Sequence, residues 1–317
     1  MQRASFSFQP SPVQAETYRC ITSPLAKIAN TRVLAFNYRL APQNQFPAAL
    51  HDALAAYLYL LNPPKDAGFE PLNPKNIVIC GDSAGGGLSL ALGLAIRDAG
   101  LPSCAGIIGL SPWVDLTASL PSILDDGCAD YIPNVTGGTA SFYTESRASK
   151  EYKGKDAALA AKIKNQNLGP KIWHDSFDRP EGRLQLYVNN EGLAIPYVSP
   201  MLAESLGNLP PLLLVAGDEE RLRDETIYFA YRSAEPTKYK GPSYNAGKFE
   251  KSQFQTPTNT TFEIYEEMPH VFQFVDYACT TKSYERELNP LNERHKKVFN
   301  WEKIGIVPNS AALSELK

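Results

Sequence analysis

The segment at residues 76–94 limits what this chain can fold into more than any other, because it joins a buried strand to a buried helix through a very tight turn. It starts with Asn-Ile-Val-Ile-Cys, a β-branched apolar run typical of a strand covered on both faces. It ends with Leu-Ser-Leu-Ala-Leu-Gly-Leu, which favours a helix that is apolar on nearly every side. Between them stands Gly-Asp-Ser-Ala-Gly at residues 81–85. This pattern predicts a strained turn that exposes the hydroxyl of Ser83.

The same glycines would also suit a turn with an incidental serine, or a phosphate-binding loop. No Gly-Lys-Ser/Thr follows the turn to hold a triphosphate. We therefore interpret Ser83 as a nucleophile, which requires a base and an acid elsewhere in the sequence.

Length and composition exclude several classes of protein. The chain has 317 residues, 43% of them apolar, so it can bury a sizeable core and is not expected to be disordered. A net charge of -3 gives no reason to expect nucleic acid or an anionic membrane as a partner. Four histidines, and five cysteines without C-x-x-C spacing, predict free thiols and no metal site. No apolar run approaches the roughly 20 residues of a transmembrane helix, and the first residues lack the apolar core of a signal peptide.

Strands and helices alternate along most of the chain, which predicts a mostly parallel sheet with helices on both faces. The predicted strands are 31–38, 76–80, 105–110, 210–216 and 261–265. The alternation fails at about 120–200, which we interpret as a cap-like insertion over the carboxyl edge of the sheet, where such folds bind ligands. We therefore expect residues 1–317 to form a single domain that carries this insertion.

A serine hydroxyl needs a base to take its proton, and histidine fits because its ordinary pKa is about 6.5. A carboxylate on the far ring nitrogen would orient the imidazole and stabilise its charged form. In α/β-hydrolases these groups come in the order Ser, acid, His, each just after a strand. Ser83, a carboxylate within 218–224, and His270 follow that order. The remaining histidines are expected to be structural or solvated: His51, His174 and His295.

Several carboxylates compete for the place of the acid. Asp218 is nearest to the predicted strand end, and Glu220 follows two residues later. Asp224 and Glu225 open a helix, where acidic side chains complement the helix dipole. Position alone leaves Asp218 and Glu220 equal.

Five motifs together resemble the hormone-sensitive-lipase family of carboxylesterases. They are Tyr-Arg-Leu-Ala-Pro, Phe-Pro-Ala-Ala-Leu, Gly-Asp-Ser-Ala-Gly-Gly, Ser-Pro-Trp-Val-Asp-Leu and Met-Pro-His-Val-Phe, spread over about 16–274, with details most similar to fungal members. The resemblance implies an α/β-hydrolase fold. In this family the acid begins a D-P-L-x-D motif or a variant with Glu first. The matching run is 220–224, so the resemblance implies Glu220 as the acid, with Asp218 in reserve.

One motif of the family is absent. A His-Gly-Gly-Gly loop, which supplies backbone N–H donors to the oxyanion, is expected near residues 6–9, but the chain reads Phe-Ser-Phe-Gln there. The strands before that loop, one of them inside the sheet, are expected to be missing as well. A lost N-terminal segment explains this best, and divergence to a non-hydrolytic protein is the alternative. The N–H of Ala84 would remain as an oxyanion donor, and losing one donor costs about 2.7 to 4 kcal/mol.

The sequence therefore predicts a carboxylic ester hydrolase that works through an acyl-enzyme, with a small-molecule ester as partner and without cofactor or metal. A non-catalytic ligand-binding protein on the same fold is the alternative, and a peptidase is a third. The chain as written is expected to be cytoplasmic, while a longer form would allow association with the endoplasmic reticulum. The natural ester, membrane association and oligomeric state are left open.

Overall fold

The computed structural model describes residues 4–9, 18–41, 43–125, 127–132, 187–188, 192–239 and 252–274. In these residues, six strands form one sheet in which every neighbouring pair is parallel. The strands are β1 Ala4–Gln9, β2 Arg32–Asn37, β3 Ile77–Asp82, β4 Gly106–Leu110, β5 Leu212–Gly217 and β6 Thr260–Tyr265. The α-helices are α1 Arg19–Ile28, α2 Ala48–Leu61, α3 Ser83–Asp98 and α4 Arg223–Ala234. The parallel α/β fold expected from the alternating pattern is confirmed.

The strand order is β2-β1-β3-β4-β5-β6, so the chain starts inside the sheet, runs out to the β2 edge and then returns to the other side of β1. The winding direction changes between β1 and β3. In an open parallel sheet, the carboxyl ends of the strands leave a crevice at such a point, and ligands bind there. The Ser83 turn at the end of β3 lies beside it.

The expectation that a strand inside the sheet is missing is wrong. Strand β1 fills that place, with Ala4 paired to both Arg32 of β2 and Ile77 of β3. The overlooked signal is the run Ala-Ser-Phe-Ser-Phe-Gln, in which polar and apolar residues alternate with the period of a strand. The sheet is thus continuous from β2 to β6.

Several parts of the chain lie outside the described residues. They are residues 10–17 after β1, most of the insertion expected at about 120–200, and the residues after 274. The single-domain assignment with a cap-like insertion therefore stays a prediction. No helix in the described part of the chain has the length and the apolar composition needed to cross a membrane.

Helix α3 is the centre of the core, as its apolar sequence predicts. It packs against β1, β3 and β4, and α2 packs on it in turn. Two glycines permit this arrangement. A Cβ at Gly81 would collide with the carbonyl of Gly85 inside the turn, and a Cβ at Gly87 would collide with the carbonyl of Trp113. Without these Cβ atoms, the backbone of the turn at Ser83 can come into direct contact with the backbone of the loop after β4.

Candidate active site

Ser83 is the first residue of α3 and follows directly on β3. Its φ is +51°, a left-handed conformation that costs a residue with a side chain of order 1–3 kcal/mol and that clusters at functional sites. The carbonyl of Ser83 accepts a hydrogen bond of 2.9 Å from the N–H of Trp113, which ties the turn to the loop after β4. Ala84 comes next, in the first turn of the helix, where N–H groups lack a partner within the helix.

His270 reaches this serine from the loop after β6. Its Nε2 lies 2.9 Å from Ser83 Oγ, which is hydrogen-bond distance. The imidazole is buried, with 4% of the residue exposed, and the Tyr131 ring lies beside it with the ring centroids 5.8 Å apart. The two residues are 187 positions apart in the chain, so the fold itself brings them together.

Glu220, in the loop after β5, is the carboxylate nearest to the far side of the imidazole. Its Oε2 lies 3.9 Å from His270 Nδ1, longer than a hydrogen bond. The same oxygen accepts hydrogen bonds from Ser111 Oγ at 2.6 Å and from the N–H of Gly217 at 3.2 Å. Among the described residues, neither Glu220 Oε1 nor His270 Nδ1 has a hydrogen-bond partner. Glu220 thus points into the site with one oxygen held and the other available.

Asp218, the reserve candidate for the acid, is directed elsewhere. Its Oδ1 accepts a hydrogen bond of 2.6 Å from the N–H of Glu267, in the turn after β6. Asp224 and Glu225 lie in the first turn of α4, as expected, and both are buried. Each also binds the chain after β4, through the N–H groups of residues 122 and 114–115. The structure therefore brings Glu220, and not these three, next to His270.

Of the remaining histidines, His51 is the one that the described residues include, and it is not part of this cluster. His51 is exposed on α2. His174 and His295 lie outside the described residues. Within the described part of the chain, no group of three His, Cys, Asp or Glu side chains is placed to hold a metal ion.

Two side chains that the sequence analysis did not single out connect the acid loop with the histidine loop. Ser111 Oγ, besides its bond to Glu220, accepts a hydrogen bond of 3.0 Å from the N–H of Val271. Asp130 accepts hydrogen bonds from the N–H of Arg221 at 2.7 Å and from the N–H of His270 at 3.4 Å. Ser111 is the first residue of the Ser-Pro-Trp motif, so the sequence did offer a signal for it. Asp130 lies in the irregular region at about 120–200, where no sequence pattern indicates a role for it.

Similarity to known proteins fixes the fold family of this site. The profile of a family described by its alpha/beta hydrolase fold matches residues 13–169. The chain has the α/β-hydrolase fold. A crystal structure of a hormone-sensitive lipase from a metagenome library is 29% identical, with a TM-score of 0.54 over 89% of this chain and 76% of that one. The resemblance to the hormone-sensitive-lipase family is confirmed, whereas the fungal type and the lost segment stay predictions.

Two curated relatives of this chain are named as a hydrolase and an esterase. An acetyl-hydrolase of Streptomyces hygroscopicus is 29% identical over 259 residues, which cover 82% of this chain and 63% of that protein. An arylesterase of Saccharolobus solfataricus is 28% identical over 222 residues, which cover 69% of this chain and 57% of that protein. The chain thus spans less than two thirds of the length of either relative.

Burial shifts the pKa values of the ionisable groups in this candidate site. It lowers the pKa of His270 to about 3, so the imidazole is neutral at pH 7 and able to accept a proton. Burial also raises the pKa of Glu220 to about 8, although the hydrogen bonds from Ser111 and Gly217 favour the ionised form and oppose the rise. The neighbouring Asp82, whose Oδ2 accepts a hydrogen bond of 3.1 Å from the Tyr18 hydroxyl, has its pKa raised by burial to about 7.

A cavity of about 190 Å³ opens beside the turn that carries Ser83. It starts at Ala84 and follows α3 past Gly87 and Leu88 to Ala91. The facing wall consists mainly of aromatic and aliphatic side chains from the loops after β2 and β4 and from residues 187–198. Because small residues of α3 form its floor, the cavity can take an apolar group attached to a carbonyl held near Ser83.

Proposed function

We propose that this chain hydrolyses carboxylic esters of small molecules through an acyl-enzyme on Ser83, with His270 as the base and Glu220 as the acid of the triad. The observation that carries the proposal is the 2.9 Å contact between Ser83 Oγ, on a strained turn, and Nε2 of the buried His270. Glu220 supports it as the carboxylate on the far side of the ring, 3.9 Å from Nδ1. Catalytic hydrogen bonds are often long in free enzymes and shorten when substrate binds.

In the first half of the reaction, Ser83 Oγ attacks the ester carbonyl and gives its proton to His270 Nε2. The resulting imidazolium carries its second proton on Nδ1, which faces the Glu220 carboxylate and is stabilised by it. The tetrahedral intermediate then breaks its bond to the alkoxy group, which leaves as the alcohol with the proton from Nε2. In the second half, a water molecule attacks the acyl-enzyme, with His270 again moving the proton, and releases the acid and Ser83.

The negative oxygen of each intermediate needs donors, and the N–H of Ala84 is the one that the fold of this turn supplies. The printed sequence has no glycine before Gly68, so the loop of the family that adds further donors is not encoded in it. One missing donor lowers kcat about 10²- to 10³-fold. We therefore propose activity well below that of an enzyme with the glycine loop.

The substrate class follows from the cavity. Its apolar walls and small floor favour an ester with a short to medium apolar group rather than a charged one. The names of the relatives, acetyl-hydrolase and arylesterase, agree with a small acyl group or an aromatic alcohol in those proteins.

The test is hydrolysis of p-nitrophenyl acetate and butyrate by the chain and by its Ser83→Ala variant. Ser103→Ala is a matched control, since that hydroxyl lies in the loop before β4 and, in the described part of the chain, donates to the neighbouring Cys104 carbonyl at 3.4 Å. We expect Ser83→Ala to fall to the background rate and Ser103→Ala to match the wild type. A fluorophosphonate should label the wild type and Ser103→Ala but not Ser83→Ala. Equal rates in the wild type and Ser83→Ala would refute the proposal.

A ligand-binding protein without catalysis is a second candidate, favoured by the missing glycine loop and by the open distance between His270 and Glu220. It would occupy the same cavity. Binding of a p-nitrophenyl ester without turnover, and without labelling of Ser83, would decide in its favour.

A further inference from the structure

We infer that Ser111 is a positioning residue for this reaction, whose hydroxyl locks the acid loop to the histidine loop and turns one carboxylate oxygen of Glu220 toward His270. The inference rests on the proposed triad and assigns a role to a residue outside it. Ser111 follows β4, while Glu220 and His270 follow β5 and β6, so three neighbouring loops at the carboxyl edge of the sheet meet at a single hydroxyl.

The hydrogen bonds of Ser111 can have only one direction. The N–H of Val271 can only donate, so Ser111 Oγ accepts this bond of 3.0 Å. The Ser111 hydroxyl donates to Glu220 Oε2, at 2.6 Å, a bond that the ionised carboxylate needed in the reaction also accepts. The backbone N–H of Ser111 donates to the Val215 carbonyl at 2.7 Å, which fixes the residue against β5. Ser111 is fully buried, so no water competes for these bonds.

This arrangement fixes the Glu220 carboxylate against the histidine. Oε2 is held by Ser111 and by the N–H of Gly217, and it is also the carboxylate oxygen that lies 3.9 Å from His270 Nδ1. Oε1 and His270 Nδ1 are among the buried atoms that have no hydrogen-bond partner in the described residues. A carboxylate held at Oε2 cannot rotate freely, so Ser111 keeps this oxygen facing the Nδ1 proton when the two loops close. Because Val271 directly follows His270, the same hydroxyl also fixes the base.

The backbone at Ser111 is a second, independent observation. Its φ is +46°, in the left-handed region, where glycine is free of strain and serine is not. A residue chosen for the backbone alone would be glycine. The serine therefore indicates that the hydroxyl is needed at this place, and it provides a matched pair of variants. Ser111→Gly removes the hydroxyl and relieves the backbone, whereas Ser111→Ala removes the hydroxyl and keeps the strain.

The experiment measures kcat, KM and the pH profile on p-nitrophenyl acetate for the wild type, Ser111→Gly, Ser111→Ala and Ser111→Thr, beside Ser83→Ala. We expect both hydroxyl-free variants to lose about 10- to 100-fold in kcat, the range of a hydrogen bond to a charged group, with KM changed by less than about 3-fold. The acid limb of kcat/KM should move to higher pH, because a carboxylate without this donor holds its proton more tightly. Ser111→Thr, which keeps a hydroxyl, should recover part of kcat.

Proton NMR of protein labelled with ¹⁵N-histidine gives a readout that does not need turnover. The chain has four histidines, and with a boronic acid bound at Ser83 the contact between His270 and Glu220 is expected to close, so the downfield Nδ1 proton of that complex can be assigned by its loss in Glu220→Gln. We expect Ser111→Gly to lose the same signal while retaining the circular dichroism of the wild type. Failure of Ser111→Gly to fold would overturn the inference, because it would make the hydroxyl a requirement of the fold rather than of the site.

The outcomes separate this inference from the proposed function. Equal rates in the wild type and Ser83→Ala would remove the proposed function itself. A wild type faster than Ser83→Ala, together with a Ser111→Gly variant that keeps its kcat and acid limb, would overturn only the role of Ser111. A loss of kcat in Ser111→Ala without a loss of kcat in Ser111→Gly would also overturn the role of the Ser111 hydroxyl, since backbone strain would then be the cause.

Discussion

His270 is hydrogen-bonded to Ser83 at 2.9 Å but stands 3.9 Å from Glu220, so the proposed base is joined to the proposed nucleophile and not yet to the proposed acid. Closing the second contact to hydrogen-bond length needs a shift of about 1 Å. Three loops set this distance, because Ser111 and Asp130 both connect the acid loop to the histidine loop. The predictions below test which groups matter for that geometry.

Glu220→Gln should abolish most of the activity, while Asp218→Asn should leave it nearly unchanged. An amide at 220 cannot stabilise the imidazolium of His270, and an equivalent Asp to Asn change in a serine protease lowers kcat about 10⁴-fold. Asp218 instead accepts a hydrogen bond from Glu267, away from the ring. Measuring kcat/KM on p-nitrophenyl acetate decides between the two carboxylates. A large loss in Asp218→Asn with little loss in Glu220→Gln would reverse the assignment.

The same Glu220→Gln change should stabilise the fold at alkaline pH. Burial raises the pKa of Glu220 from 4.5 to about 8. Between these values the folded chain keeps a proton that the unfolded chain releases, so this carboxyl's contribution to stability is complete below pH 4.5 and is lost as the pH rises through about 8. Glutamine does not ionise. The free energy of unfolding of the variant relative to the wild type should therefore increase between pH 5 and pH 9.

Thermal unfolding at both pH values measures this difference. Glu204→Gln is the control, because it neutralises an exposed carboxylate and should show no comparable change between pH 5 and pH 9. A stability difference between Glu220→Gln and the wild type that stays constant, or that shrinks toward pH 9, would contradict the prediction. The expected loss of activity together with a gain in stability would mark Glu220 as a residue kept for function at a cost to the fold.

Asp130→Ala should slow the reaction without removing the nucleophile. Asp130 holds the N–H groups of Arg221 and His270, one beside the acid and the other on the base itself. Losing these bonds lets the two loops separate, and we expect kcat to fall about 5- to 30-fold, the range for one or two hydrogen bonds. Asp125→Ala is the control, because that exposed carboxylate binds only the nearby N–H of Gly127 among the hydrogen bonds described. Unchanged kcat in Asp130→Ala would show that other contacts set the loop positions.

The predictability of this site from sequence differs between its parts for physical reasons. The turn at Ser83 is encoded locally, in a strand, two glycines and a helix, so a short segment reveals it. The choice of Glu220 over Asp218 depends on which side chain turns inward, and there only the family resemblance, not the residues themselves, favoured Glu220. Ser111 acts through partners 109 and 160 positions away, and no local pattern records such contacts.

Strand β1 shows a second reason why part of the fold could not be predicted from the sequence. Its six residues alternate between polar and apolar types, but a segment this short at the start of a chain is hard to distinguish from an irregular one. What defines it is pairing with β2 and β3, both distant in sequence. The glycine loop is absent from the sequence, but the strand that precedes this loop in the family is present as β1. The absence of the loop therefore does not predict the absence of the strand.

Ala91→Val should make the enzyme prefer shorter esters. Ala91 lines the far part of the cavity along α3 and is 2% exposed, so two added methyl groups take space from the apolar end of a bound substrate. The reacting atoms at Ser83 lie two helical turns away and should be unaffected. We expect kcat/KM for p-nitrophenyl hexanoate to fall about 10-fold relative to acetate, since a methylene excluded from a pocket is worth 1–3 kcal/mol. Ala95→Val, one turn further along α3 and outside the cavity lining, is the matched control. An unchanged hexanoate-to-acetate ratio in Ala91→Val would mean that the substrate's apolar group does not enter this cavity.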